Sequence, residues 1–304
     1  MASETFDEID EFPSTQARKR YELLVGLDAE KMHLTKESKI LLNPSLLDNW
    51  SKEHYKEQIP LIDIFKRKPS LFIFAGDVGT GKSSLAETFG DVIAREEKIP
   101  VFLYRLSLKS RGSGTVGEMT RLITEAFFEV HTEAKKARAN KKASSAYILL
   151  IDEADALAQS RELSQMHHED KAGVNALIRG IDSISIAGLP VIVVMCTNRL
   201  SALDPAVHRR AAAIFKFERP NDEQRELLFT NALAGTDIDG KTIDAITKAT
   251  GARKEREYGL TYSDIMQRFL PQILLDSFPD KPIDWKNVMQ LAKDFIPTPP
   301  FKEE

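Results

Sequence analysis

The chain has 304 residues, 42% hydrophobic and 29% charged, with a formal net charge of −4. This is the balance of an ordinary globular protein, long for a single core, and the charge offers no global attraction to nucleic acid or anionic membrane. The lone cysteine, Cys196, excludes an internal disulfide and a multi-cysteine zinc site. No apolar run approaches the roughly 20 residues of a membrane helix, and the acidic opening is no secretory signal, so a soluble, cytoplasmic protein is expected.

In chain order, the first twelve residues read as an acidic, mobile arm. From Ser14 to about Lys68 the spacing of Tyr21, Leu23, Leu24 and Leu27, then Leu46, Leu47 and Trp50, predicts helices. Residues 1–60 are therefore read as an N-terminal extension, partly mobile and then helical. Five short apolar runs follow, each a candidate buried strand: Leu71–Ala75, Val101–Leu106, Tyr147–Asp152, Val191–Cys196 and Ala213–Phe217. Helical stretches near Ser83–Glu96, Val116–Ala139, Asp170–Asp182 and Pro205–Arg210 separate them. The alternation predicts an α/β fold, a parallel five-stranded sheet with flanking helices, over residues 61–219. Arg219-Pro220-Asn221-Asp222 then punctuates the chain, with Asn221 or Asp222 a cap for a helix beginning at Glu223. Residues 220–297 read as a small all-helical lid, and 298–304 as a polar tail.

Gly76-Asp77-Val78-Gly79-Thr80-Gly81-Lys82-Ser83 fits the phosphate-binding pattern G-x-x-x-x-G-K-[ST], between a strand and a helix opening at Ser84. Glycines let consecutive N–H groups curl around phosphate oxygens, and the helix adds its positive end. Lys82 would reach the β- and γ-phosphates of ATP, and Ser83 would hold Mg²⁺. At the end of the next-but-one strand stand Asp152 and Glu153. Asp152 would contact Mg²⁺, and Glu153 would polarise the water that attacks the γ-phosphate. The strand ending at Cys196 delivers Asn198 to the same edge, where a neutral amide can bond phosphate or water. Asp204-Pro205 starts a short helix ending in Arg209 and Arg210. A guanidinium from there, Arg210 slightly preferred, could reach the nucleotide of a neighbouring subunit.

These four elements, followed by a helical domain, resemble the AAA+ ATPases over roughly Leu61 to Ile296. Gly76–Ser83 looks like Walker A, Asp152-Glu153 like Walker B and Asn198 like sensor 1, with Arg209 and Arg210 in the place of arginine fingers. The resemblance implies ATP and Mg²⁺ as ligands and a homohexameric ring with ATP sites at its junctions. Ser263 stands where a sensor 2 arginine would be, and Arg268 is the nearby candidate. A narrower resemblance, carried by Ser107–Phe127 and Val174–Asp182, is to the Trip-thirteen type of HORMA-domain remodellers. It implies a HORMA-domain partner, possibly held with a nucleotidyltransferase, in bacterial cyclic-oligonucleotide anti-phage signalling. The first pore loop carries Thr115-Val116-Gly117 in place of an aromatic, leaving Val116, Arg111 or Lys109 to grip a substrate. The alternative is a DNA-associated AAA+ ATPase, of the loader or transposition-helper kind, using the basic run Lys135–Lys142. That run is explained more simply as a helix end offsetting its dipole. His167-His168-Glu169-Asp170 reads as a second pore loop rather than a metal site.

Overall fold

The computed structural model describes residues 5–107, 117–138, 143–157, 168–254 and 256–301. Six strands, β1 (Glu8–Phe12), β2 (Leu71–Gly76), β3 (Val101–Ser107), β4 (Ala146–Asp152), β5 (Val191–Thr197) and β6 (Ala211–Phe217), form one sheet in the order β1-β3-β4-β5-β2-β6. Five run parallel, as expected from apolar runs buried on both faces. The sixth corrects the expectation of a mobile acidic arm. β1 pairs antiparallel with β3, from Glu8 opposite Arg105 to Phe12 opposite Val101. Phe12 is buried, and Phe6 is buried edge-on to the Tyr104 ring at 4.9 Å. Arg105 draws in the acidic segment, lying 3.2 Å from Glu8 and 3.8 Å from Asp10. An apolar anchor at each end and a cross-strand cation outweigh the poor strand propensity of the carboxylates.

The chain divides into two compact units. One comprises the chain up to Leu23, Ala29–Ala75 and Ser83–Lys216. It holds the sheet and the helices α1 (Thr15–Glu22), α2 (Asp28–Leu42), α3 (Ser45–Tyr55) and α4 (Pro60–Lys66), followed by α5 (Lys82–Ala86), α6 (Phe89–Glu97), α7 (Glu118–Ala137), α8 (His168–Ala187) and α9 (Pro205–His208). Its core joins Leu71, Ile73, Leu149, Ile151, Val193 and Met195 of the sheet to Ile123, Phe127, Leu177 and Ile181 of α7 and α8. The single helix expected after the glycine loop is two. Thr88 turns its hydroxyl back to the Ser84 carbonyl, 2.6 Å away, and the chain re-enters helix at Phe89.

The second unit comprises Leu24–Asp28, Gly76–Lys82 and the chain from Phe217 onward. Helices α10 (Asp222–Ala232), α11 (Gly240–Thr250), α12 (Leu270–Leu275) and α13 (Trp285–Asp294) surround Phe229, Ile246, Leu260, Ile265 and Phe269. A π-helical turn, Asp264–Phe269, leads into α12. Asn221 caps α10 through a reciprocal bond with Gln224, so of the two expected candidates it is Asn221 that takes the role.

Candidate functional site

In the glycine loop the backbone is shaped by what it cannot carry. A Cβ at Gly76 would meet the Phe217 carbonyl oxygen at 2.0 Å, and one at Gly79, where φ is +73°, would press on Thr261 and Ser263. Side chains are excluded at both positions, so the turn stays tight. Lys82 is buried and donates to the carbonyls of Gly76, 2.9 Å away, and Asp77, 2.8 Å away. Thr80 donates to the same Asp77 carbonyl at 2.7 Å. Leu24 and Leu27 lie against the Gly81 side of the loop, adding an apolar wall.

Four strands end together. The registers set Ser107 opposite Asp152 and Ala75 opposite Thr197, which aligns the C-terminal edges of β2, β3, β4 and β5. This is the edge at which open α/β sheets bind ligands. Ser83, the residue after Lys82, donates its hydroxyl to Asp152 at 3.4 Å. Mg²⁺ is held by one or two carboxylates together with hydroxyl, water and phosphate oxygens, and this pair is a donor set of that kind. Burial pushes the Asp152 carboxyl up, against hydrogen bonds from the Glu153 amide and the Ser83 hydroxyl that lower it. Glu153 occupies the left-handed region at φ +53°. A glutamate held there is strained, as backbone at reacting centres often is.

Asp155, absent from the sequence-level set, organises the next strand end. It is buried and accepts from the Thr197 hydroxyl, from the Asn198 backbone and side-chain amides at 3.0 and 3.1 Å, and from the Arg199 N–H at 3.2 Å. The Asn198 side chain is therefore aimed by a fixed carboxylate. The carboxylate two residues beyond Glu153 was the available signal, but only the fold brings it to Asn198, 43 positions away.

At the start of α9, Asp204 caps the helix and Pro205 opens it, as expected. Arg210 is engaged within its own chain, donating to both oxygens of Asp182 at 2.7 and 2.9 Å. Arg209 is exposed. Of the pair, Arg210 is thus committed to Asp182 and Arg209 is the exposed member. Arg268 donates to Asp264 at 2.9 Å and lies over the Phe295 ring. At this helix start it is Ser263 that meets the glycine loop, its N–H donating to the Gly79 carbonyl at 3.0 Å. Arg219, also missed, holds Asp77 of the loop from the other side.

Lys109, Arg111, Thr115, Val116, His167 and residues 139–142 lie outside the described residues. Lys136 pairs with Glu133 at 2.7 Å, and Arg138 donates to the Ala187 carbonyl, both in keeping with a helix end. Cys196 is a buried core residue of β5. No described helix is long and apolar enough to cross a membrane.

Comparison with known proteins resolves the family. Residues 72–219 match the model of the ATPase family associated with various cellular activities (AAA). The chain is 47% identical to CD-NTase-associated protein 6 of Escherichia coli strain MS 115-1, over 98% of this chain and 96% of that one. The chain belongs to the AAA ATPases. A second CD-NTase-associated protein 6, from E. coli strain KTE188, is 39% identical to this ATPase over 98% of it and 97% of the relative. Among solved structures, a chain of the E. coli MS115-1 HORMA:CdnC:Trip13 complex superposes with a TM-score of 0.91 at 46% identity, covering 98% of this chain and 97% of that chain. Trip13 of Rhizobiales superposes with a TM-score of 0.76 at 41% identity, covering 97% of this chain and all of the other. The enzyme is an ATP hydrolase of this family.

Proposed function

We propose that this ATPase couples ATP hydrolysis to the conformational remodelling of a HORMA-domain protein, and thereby switches off a cyclic-nucleotide anti-phage defence system in the bacterial cytoplasm. What carries the reading is a likeness that runs the whole length of the chain, from β1 to the helical unit, to a chain of the HORMA:CdnC:Trip13 complex. A shared P-loop alone would not reach so far. The partner could be presented to the ATPase together with its nucleotidyltransferase, as that complex contains both a HORMA protein and CdnC.

In this mechanism the amides of Gly76–Ser84 and the Lys82 ammonium hold the β- and γ-phosphates. Leu24 and Leu27 give the base an apolar surface. Mg²⁺, when held by Ser83 and Asp152, neutralises charge on the phosphate oxygens. Glu153 takes the proton of the attacking water, and the Asn198 amide, aimed by Asp155, orients that water or the γ-phosphate. Arg209 completes the site of the adjacent protomer in a homohexameric ring, with Arg210 bracing α9 from Asp182. Arg268 is set aside as sensor 2 because its guanidinium is committed to Asp264 and Phe295.

Glu153→Gln tests the assignment. ATP binding should persist while turnover falls by about 10²-fold or more, the contribution of a general base. The ring should become a stable species by native mass spectrometry and retain its HORMA partner. Turnover at the native rate would remove Glu153 from the mechanism. Stimulation of the wild-type ATPase by salt-sensitive binding of DNA, and not by a HORMA-domain protein, would favour the DNA-associated alternative.

A further inference from the structure

The glycine loop carries a carboxylate in a place built for a triphosphate. Asp77 is the second residue of the motif, and its negative charge opposes the ligand that the loop is shaped to receive. The structure balances it. Arg219 donates to Asp77 Oδ2 from Nε at 2.9 Å and from Nη2 at 2.5 Å. The same guanidinium bonds the carbonyls of Gly259 and Thr298, each at 2.8 Å, and lies over the Tyr258 ring. Only 14% of the Arg219 side chain and 17% of the Asp77 side chain are exposed, so solvent screens the pair far less than a surface ion pair.

Asp77 is also the most heavily used residue of the loop. Its Oδ1 accepts the Val78 N–H at 2.8 Å and the Phe301 N–H at 3.0 Å. Its carbonyl accepts both Thr80 and Lys82. A guanidinium fixed on the Asp77 carboxylate therefore fixes the peptide that positions Lys82.

We propose that Arg219 is a positioning residue for the phosphate loop: it neutralises Asp77 and holds the loop in its phosphate-accepting shape, so that it sets nucleotide affinity more than the rate of the chemical step. The proposal rests on the reading of Gly76–Ser83 as the triphosphate site. Arg219 acts through Asp77 and touches no reacting atom. Losing it does two things at once: it frees the loop and leaves an unneutralised carboxylate within the loop that receives the phosphates. The second effect is reversible by a second substitution, and that reversal separates this role from a merely structural tie.

The experiment uses the full chain, equilibrium binding of a fluorescent ADP analogue, and steady-state ATPase kinetics. Arg219→Ala should weaken ADP binding at least tenfold and raise KM for ATP in proportion, with kcat at saturation changed no more than about threefold, since the loss is in ground-state binding. Adding Asp77→Asn to Arg219→Ala should recover at least fivefold of the lost affinity, a coupling expected only of groups in contact. Arg219→Gln, which keeps a hydrogen-bonding head without the charge, should repeat the loss and serves if the alanine variant folds poorly by circular dichroism. Lys82→Ala is the control for the site itself. If Lys82→Ala loses nucleotide while the Arg219 variants bind like wild type, or if Asp77→Asn restores nothing, the proposal fails and the phosphate-loop reading stands. If Lys82→Ala binds nucleotide normally, both fall.

Discussion

At the scale of single residues, the site depends on a few buried charges whose partners are distant in the chain. Asp155 is the clearest case. Asp155→Ala would remove the acceptor of the Thr197 hydroxyl and of the backbone and side-chain amides of Asn198. Loss of these charge-assisted bonds should cost about 2–4 kcal/mol in thermal or denaturant unfolding. Because the aim of Asn198 is lost with them, kcat should fall about tenfold or more while KM for ATP moves little. A variant with lowered stability but native kcat would remove Asp155 from the positioning of Asn198. The motif residues Gly76–Ser83, Asp152, Glu153 and Asn198 were legible in the sequence because chemistry fixes residue type and local spacing together. Asp155 and Arg219 were not, since their meaning lies in contacts 43 and 142 positions long. For Arg210, its place beside Arg209 was readable, but its pairing with Asp182 was not.

At the scale of elements, burial decided what could be read. Strands β2 to β6 follow the apolar runs that announced them. β1 did not announce itself, because its partner Arg105 supplies from another strand the charge its own residues lack. The tail after α13 was read only as polar, yet Thr298 fastens it. Its N–H and hydroxyl donate to Asp264 at 3.0 and 2.7 Å. Burial alone would raise the Asp264 carboxyl, but the bonds from Thr298 and Thr261 hold it below its ordinary value of 3.8. A depressed carboxylate stabilises the fold above its unfolded value and loses that contribution as pH falls through its folded value. Thr298→Val removes one charge-assisted bond and should cost about 1–3 kcal/mol near neutral pH. The gap between wild type and variant, followed by denaturant unfolding across pH, should close below about pH 4. A gap that persists unchanged into acid would show that Asp264 is not the partner that matters.

At the scale of the whole molecule, the assignment of Arg209 predicts that no protomer is a complete enzyme. Arg209→Ala should lower turnover about 10³-fold or more, the effect of a missing finger. Lys82→Ala should be inactive for a different reason, having an intact finger and no grip on phosphate. If Arg209 serves the neighbouring site, mixing the two inactive proteins should produce ATPase activity well above the sum of the parts, at junctions where a sound loop faces a sound arginine. A mixture no more active than its components would assign Arg209 to its own chain or to no catalytic role. If the proposed ring forms, unwanted association between chains has to be prevented, and the acidic opening strand bears on this. β3 would otherwise present an open border of unpaired amides; β1 covers it and offers in its place a border lined by Glu8 and Glu11, both exposed. Like charges meeting along such a border discourage sheet-to-sheet aggregation, so the stretch least like a strand in composition is what guards the open side of the sheet.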